Sequence, residues 1–220
     1  MDISALLLTL RLATVTTLIL IALAIPLAYW LCVARWRGRI LVEALVALPI
    51  VLPPTVLGFY LLVLLGPQTA FGRGIIRLLG HPLAFSFSGL VVGSVIYSLP
   101  FAVQPLVAGF RAVDANLLEA ATMLGSGPWD KLRRIYLPLS RGAMLTAVVL
   151  TFAHTVGEFG VVLMIGGNLP GATRTLSIAL YDQVQDFSNT QANHTAAVLL
   201  CASFAALLLL YNRRRKDSLV

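Results

Sequence analysis

Four polar residues interrupt an otherwise apolar stretch and are the first candidates for chemistry: Thr151, His154, Thr155 and Glu158. On a helix, Thr151 and Thr155 lie one turn apart, as do His154 and Glu158, so each pair shares a face. A histidine and a carboxylate can ligate zinc, but a zinc site needs at least a third protein ligand and none is in view. His-x-x-x-Glu is also not the His-Glu-x-x-His of a metalloprotease. No Ser/His or paired-aspartate arrangement for hydrolysis falls within the apolar stretches. The run Gly125-Ser-Gly-Pro-Trp-Asp-Lys131-Leu lacks the second glycine and the Ser/Thr of a phosphate-binding loop. The chain is therefore expected to hold no catalytic site and no metal. Hydrogen bonding remains. Threonine hydroxyls can bond an anion in passing without holding it, or bond back to their own helix carbonyls, and for Thr151 both readings stand.

The elements that position these residues follow from composition. Of 220 residues 59% are hydrophobic and 11% charged, with a mean hydropathy of +0.90. Soluble domains carry roughly a quarter charged residues. An all-α integral membrane protein is the class that fits. About 20 apolar residues cross a hydrocarbon core, and the charge-free stretches give five spans, roughly 12–34, 46–65, 87–108, 142–165 and 196–211. A cleaved signal peptide is disfavoured, because the chain opens Met1-Asp2-Ile3 and its first apolar stretch is too long. Most basic residues fall on one side: Arg35, Arg37 and Arg39; Arg111, Lys131, Arg133, Arg134 and Arg141; and Arg213, Arg214, Arg215 and Lys216. The positive-inside rule then puts the amino terminus outside and the carboxyl tail in the cytoplasm. The net charge of +7 is a topology signal of this kind and implies no nucleic acid. Pro26, Pro49, Pro53, Pro54, Pro100 and Pro105 fall within spans. They fit kinked helices around a pathway, and equally the ordinary frequency of proline in membrane helices. Cys32 and Cys201 read as packing residues.

The loop 111–141 has its own pattern. Asp114 is a candidate N-cap for a helix from Ala115 to Leu124, and Gly125 stands where a left-handed residue ends it. A second short helix starts at Pro128, carries Asp130 in its first turn and is expected to stop at Pro138. Leu117, Leu118, Ala121 and Leu124 form one apolar face, and Ala120 permits close approach. A short apolar helix of this kind suits insertion into a groove of another protein.

In this loop Glu119-Ala120-Ala121, Gly125, Ile135 and Leu137-Pro138 resemble the Glu-Ala-Ala loop of ABC importer membrane subunits. The run Gly157 to Asn168, then Pro170-Gly171 and Thr173 to Asp182, is similar to the molybdate permease branch of the type I importers. The resemblance implies a homodimeric transmembrane domain in the bacterial inner membrane. It implies two cytoplasmic ABC ATPase subunits that bring the ATP and Mg, so this chain needs no cofactor, and a periplasmic molybdate-binding protein. Glu119, Ala120, Ala121, Leu124, Gly125, Leu137 and Pro138 would couple to the ATPase. Thr155, Gly157, Glu158, Gly160, Gly167 and Asn168 would belong to the pathway or its gate, and 166–195 to an outer gate loop in which Leu176, Ile178, Leu180 and Tyr181 form a short helix.

Glu158 is the sharpest case. An acid at the bilayer centre costs up to about 3 kcal/mol on insertion scales, so it should face the bundle interior. A carboxylate would repel a dianion, which favours a gate or interhelical role with a hydrogen-bond donor as partner over direct ligation. A sulfate or tungstate permease is the alternative within the class. A secondary transporter would need an inverted repeat, which is not found.

The orientation is testable with reporter fusions. Fusions after Arg37, Gly127 and Lys216 should read cytoplasmic, and those after Gly74 and Asn189 external. A cytoplasmic signal at Asn189 would contradict the five-span arrangement.

Overall fold

The computed structural model describes residues 2–34 and 36–217, with side chains as far as Asn212. Arg35, and the side chains of Arg213, Arg214, Arg215 and Lys216, on which part of the expected orientation rests, lie outside the described residues. Every regular element among the described residues is helical.

Three long helices form the frame: α1 (Ile3–Val33), α5 (Phe87–Arg111) and α9 (Arg141–Gly157). Asp2 caps α1 by accepting the Ala5 N–H at 3.0 Å, and its carboxyl is held below the usual range by the Ser4 hydroxyl and then by that N–H. The buried stripe of α1 runs through Thr9, Leu12, Ala13, Thr16, Leu20, Ala24, Ala28 and Leu31. Its small residues let α5 and α9 approach closely, the packing that lipid-embedded helices rely on. Leu20, Ala24, Ala28 and Leu31 meet Ala102, Val103, Leu106 and Phe110 of α5 and Ala147 of α9 in the largest cluster. Pro26 lies within α1 without ending it.

The second expected span, 46–65, is not one helix. It comprises α2 (Arg39–Val51) and α3 (Pro54–Leu65), bent by 112°. The residue before a proline is pushed to extended backbone, and here two stand in succession: Leu52 before Pro53 (ψ 136°) and Pro53 before Pro54 (ψ 133°). The fourth, 142–165, is also broken. α9 ends at Gly157, Glu158 is extended (ψ 133°), and α10 (Gly160–Gly166) restarts after Phe159. The first and last helices outrun their spans: α1 begins at Ile3 rather than 12, and α12 (Asn189–Asp217) begins before 196. Among the described residues α1, α5 and α12 are long and apolar enough to cross a membrane, and up to five spans result if Arg39–Val51 with Pro54–Leu65, and Pro128–Leu139 with Arg141–Gly157, each count as one bent span.

Smaller elements close the two ends. At one end sit α4 (Ala70–Leu79) and α11 (Leu176–Gln185), the second starting where the sequence suggests a short helix. Thr9 of α1 accepts the Leu176 N–H at 2.8 Å and so pins α11 to α1. At the other end α6 (Ala115–Met123) precedes α7 (Pro128–Lys131), a π turn (Leu132–Tyr136) and α8 (Leu137–Leu139). Pro138 therefore does not stop the second short helix. The Leu137 N–H reaches back to the Leu132 carbonyl across the widened turn, so the i−4 bond a proline would break is already displaced. The chain bends by 77° at Ser140 instead, where α9 begins.

Candidate functional site

The two breaks within the expected spans meet. Gly160, the first residue of α10, packs so closely on the start of α3 that a Cβ there would lie 2.7 Å from Pro54 Cβ. One helix turn along, a Cβ on Gly58 would come within 2.7 Å of Met164 Cβ. A cavity of about 470 Å³ opens at this junction, lined by Pro54, Thr55, Tyr97, His154, Gly157, Glu158, Phe159 and Gly160. A second, more apolar cavity of about 410 Å³ shares Gly157 and Phe159 and continues to Tyr181 and Leu199. Gly157 thus stands between two open spaces, with nothing within 4 Å of where its Cβ would be.

Glu158 is 4% exposed and neither carboxyl oxygen has a hydrogen-bond partner among the described residues. Ser94 of α5, whose hydroxyl is equally unpartnered, is close enough to bear on the carboxyl. A buried polar group without a partner costs free energy, so Glu158 does not earn its place through stability. His154 and Glu158 line the same cavity, but not as neighbours on one helix face, because Glu158 lies past the end of α9. His154 Nδ1 is 2.9 Å from Ser98 Oγ, and its ring stacks on Phe101 with centroids 3.9 Å apart. Among the described residues no group of three or more His, Cys, Asp or Glu could hold a metal.

Thr155 is buried away from the cavity. Its hydroxyl donates to the Thr151 carbonyl at 2.9 Å and meets Ser98 Oγ at 3.1 Å, so it stitches α9 to α5. Among the described residues Thr151 makes no bond back to its helix and its buried hydroxyl has no partner. Gly167 and Asn168 lie past α10. Gly167 has φ +63°, a backbone that favours glycine. Asn168 donates to Asp182 at 2.7 Å and accepts from Arg174 Nε at 2.6 Å. The Arg174–Asp182 ion pair at 3.4 Å closes this clasp, which ties the turn after α10 to α11. Asn168 thus fastens the 166–195 loop.

At the opposite end the expected capping holds: Asp114 accepts the Asn116 N–H at 2.9 Å, and Gly125 has φ +78°. The apolar face of α6 is divided. Leu118 and Ala121 turn inward, while Leu117, Leu124 and Met123 stay exposed, joined by Trp129 of α7; Met123 is 87% exposed and Leu124 86%. Glu119 and Ala120 are exposed as well. Glu119 also edges a cavity of about 690 Å³ with Tyr29, Trp36, Arg37, Thr122 and Lys131. Leu137 is half-buried against the core and Pro138 exposed. Tyr136 fastens this segment to the frame, edge-on to Tyr29 (5.3 Å) and Phe110 (5.4 Å). The Tyr29 hydroxyl donates to the Pro128 carbonyl at 3.0 Å.

The structure adds Pro54, Thr55, Tyr97, Ser98 and Phe101 to the site. The Pro53-Pro54 pair signalled a break in the sequence. Tyr97, Ser98 and Phe101 carry no signal within their apolar span.

Residues 20–213 match a family described as binding-protein-dependent transport system inner membrane component. The chain is 49% identical over 215 residues to the molybdenum transport system permease protein ModB of Azotobacter vinelandii, covering 97% of this chain and 95% of that protein. It is 33% identical over 206 residues to the protein of the same name from Escherichia coli K12, covering 94% and 88%. The crystal structure of a bacterial ABC transporter involved in the import of the acidic polysaccharide alginate has the same fold, with a TM-score of 0.73 at 18% identity over 99% of this chain and 79% of that one.

The geometry of the break is open to a direct check. In a chain with Cys32 and Cys201 replaced by alanine, Gly157→Cys should react with a water-soluble maleimide and leave expression unchanged. Gly160→Cys should lower the yield of folded protein, because overpacking of a tight contact costs about 1–3 kcal/mol. Equal yields with no labelling at position 157 would contradict the geometry.

Proposed function

Because the chain belongs to the family of binding-protein-dependent transport system inner membrane components, we propose that it is the membrane subunit of an ATP-driven molybdate importer. Two copies form the pathway, two ATPase chains bind on the cytoplasmic side, and a periplasmic molybdate-binding protein delivers the anion. The chain itself is a multi-pass permease without a catalytic site, set in the bacterial inner membrane with its amino terminus outside.

The observation that carries the reading is the cavity at the two facing helix breaks. Irregular backbone at membrane depth is tolerated where it lines a cavity and not where it faces lipid. Thr55, Tyr97 and His154 offer polar groups to a passing oxyanion, few enough that it is not held. A carboxylate at Glu158 would repel a dianion, so Glu158 serves as the gate rather than as a ligand. Its unpartnered carboxyl is free to find a donor in another state of the transporter or in the second copy. Near full-length likeness to a molybdenum permease supports molybdate as the cargo.

The route from ATP to gate follows the chain. The exposed Leu117, Met123, Leu124 and Trp129 suit the groove of an ATPase. Glu119, Ala120, Ala121 and Gly125 shape that docking helix, and Leu137 and Pro138 join it to α9. At 1.5 Å per residue, α9 is a rod of roughly 25 Å that starts at this segment and ends at Gly157. A displacement of the docking helix therefore arrives at the break.

Glu158 variants test the assignment. With the same binding protein and ATPase in proteoliposomes, Glu158→Gln should keep part of the molybdate uptake and leave the molybdate-to-sulfate ratio unchanged. Glu158→Ala should hydrolyse ATP without substrate. A shifted ratio in the Gln variant would make Glu158 a ligand and overturn the gate.

A further inference from the structure

The helix α4 is not used by the pathway reading, and its two faces differ. Ala70–Leu79 places Phe71, Ile75, Leu78 and Leu79 on one arc and Arg73 and Arg77 on another, without an acidic residue. Phe71, Leu78 and Leu79 are exposed, Leu78 to 83%, and both arginines are exposed as well. Ten residues make a helix of about 15 Å, half of what a span needs. Yet α4 is joined by short links to α3 on one side and α5 on the other, both parts of membrane-crossing segments. Whichever way the chain is oriented, α4 lies at a membrane boundary. An amphipathic helix with arginines on its polar face lies in that boundary plane.

The attachment of α4 to α3 is close. The Thr69 hydroxyl accepts the Gly72 N–H at 2.9 Å and donates to the Leu64 carbonyl at 2.7 Å. Arg73 donates to the Gln68 carbonyl at 2.9 Å. Gly72 is pressed on the end of α3, where a Cβ would fall 1.9 Å from the Gly66 carbonyl oxygen. The far end of α3 is Pro54 and Thr55, one wall of the cavity.

We propose that α4 is an interfacial anchor whose partner is the bilayer itself. Phe71, Leu78 and Leu79 enter the acyl region, and Arg77 meets lipid phosphates. The anchor fixes the end of α3 at the membrane surface, so that motion at the cavity is taken up at the Leu52–Pro53 break and not by tilting of α3 as a whole. Lipid is favoured over a protein partner because α4 follows directly on α3, whose Phe59, Tyr60, Val63 and Leu64 are exposed as well, and because the charges on α4 are all positive.

The test uses the whole transporter, with Cys32 and Cys201 replaced, in vesicles of phosphatidylcholine and phosphatidylglycerol. Nitroxides at Phe71→Cys, Leu78→Cys and Arg77→Cys report accessibility to oxygen, which partitions into lipid, and to a water-soluble nickel chelate. The expected result is oxygen preference at positions 71 and 78 and nickel preference at 77. Equal nickel accessibility at 71 and 78 would overturn the anchor, placing the helix in water. Immobile labels shielded from both reagents would overturn it too, because a second copy or the binding protein would then cover the face.

Discussion

A backbone carbonyl or N–H in lipid has no water to turn to, so a helix that breaks at membrane depth must place the break against protein. The rest of this molecule is arranged around that requirement. The α2–α3 and α9–α10 segments each break, and the breaks lie against one another at Pro54 and Gly160. Both breaks then line the cavity that holds Tyr97, His154 and Glu158, one through Pro54 and Thr55 and the other through Gly157 to Gly160. A side chain at position 160 would collide with Pro54 and hold the two helix ends apart.

The frame of α1, α5 and α9 supplies what the breaks do not. Small residues and buried hydroxyls pack these helices along their length, and Ser98 links His154 and Thr155 across the α5–α9 seam. Tyr29, Phe110 and Tyr136 fasten the α6–α8 segment to the same frame. One end of α9 therefore belongs to the proposed docking segment and the other to the break. This gives a physical basis for coupling that needs no contact between ATPase and cavity.

Local signals in the sequence were legible where one residue decides the backbone. Asp114 as a cap, Gly125 as a left-handed end and the short helix at Leu176 all depend on neighbours within a turn, and all stand in the structure. The break at Glu158 was not legible, because a glycine in an apolar run is ordinary in membrane helices and no proline marks the place. Pro138 misled for the converse reason: a π turn absorbed the missing N–H. Asn168 has its polarity explained by Arg174 and Asp182, partners that only the folded loop brings near. Thr155 likewise bonds to the Thr151 carbonyl and to Ser98, a partner that only the packing of α9 on α5 brings near.

The central claim is that the breaks of two copies face one pathway and open it under ATP. The most direct measurement is the distance between spin labels at Ala153→Cys, one on each copy of the assembled transporter, in the nucleotide-free and ATP-bound states. Ala153 lines the cavity beside His154. The account predicts that the distance shifts by several ångström when ATP binds, together with the onset of uptake. An unchanged distance in a preparation that transports would contradict it.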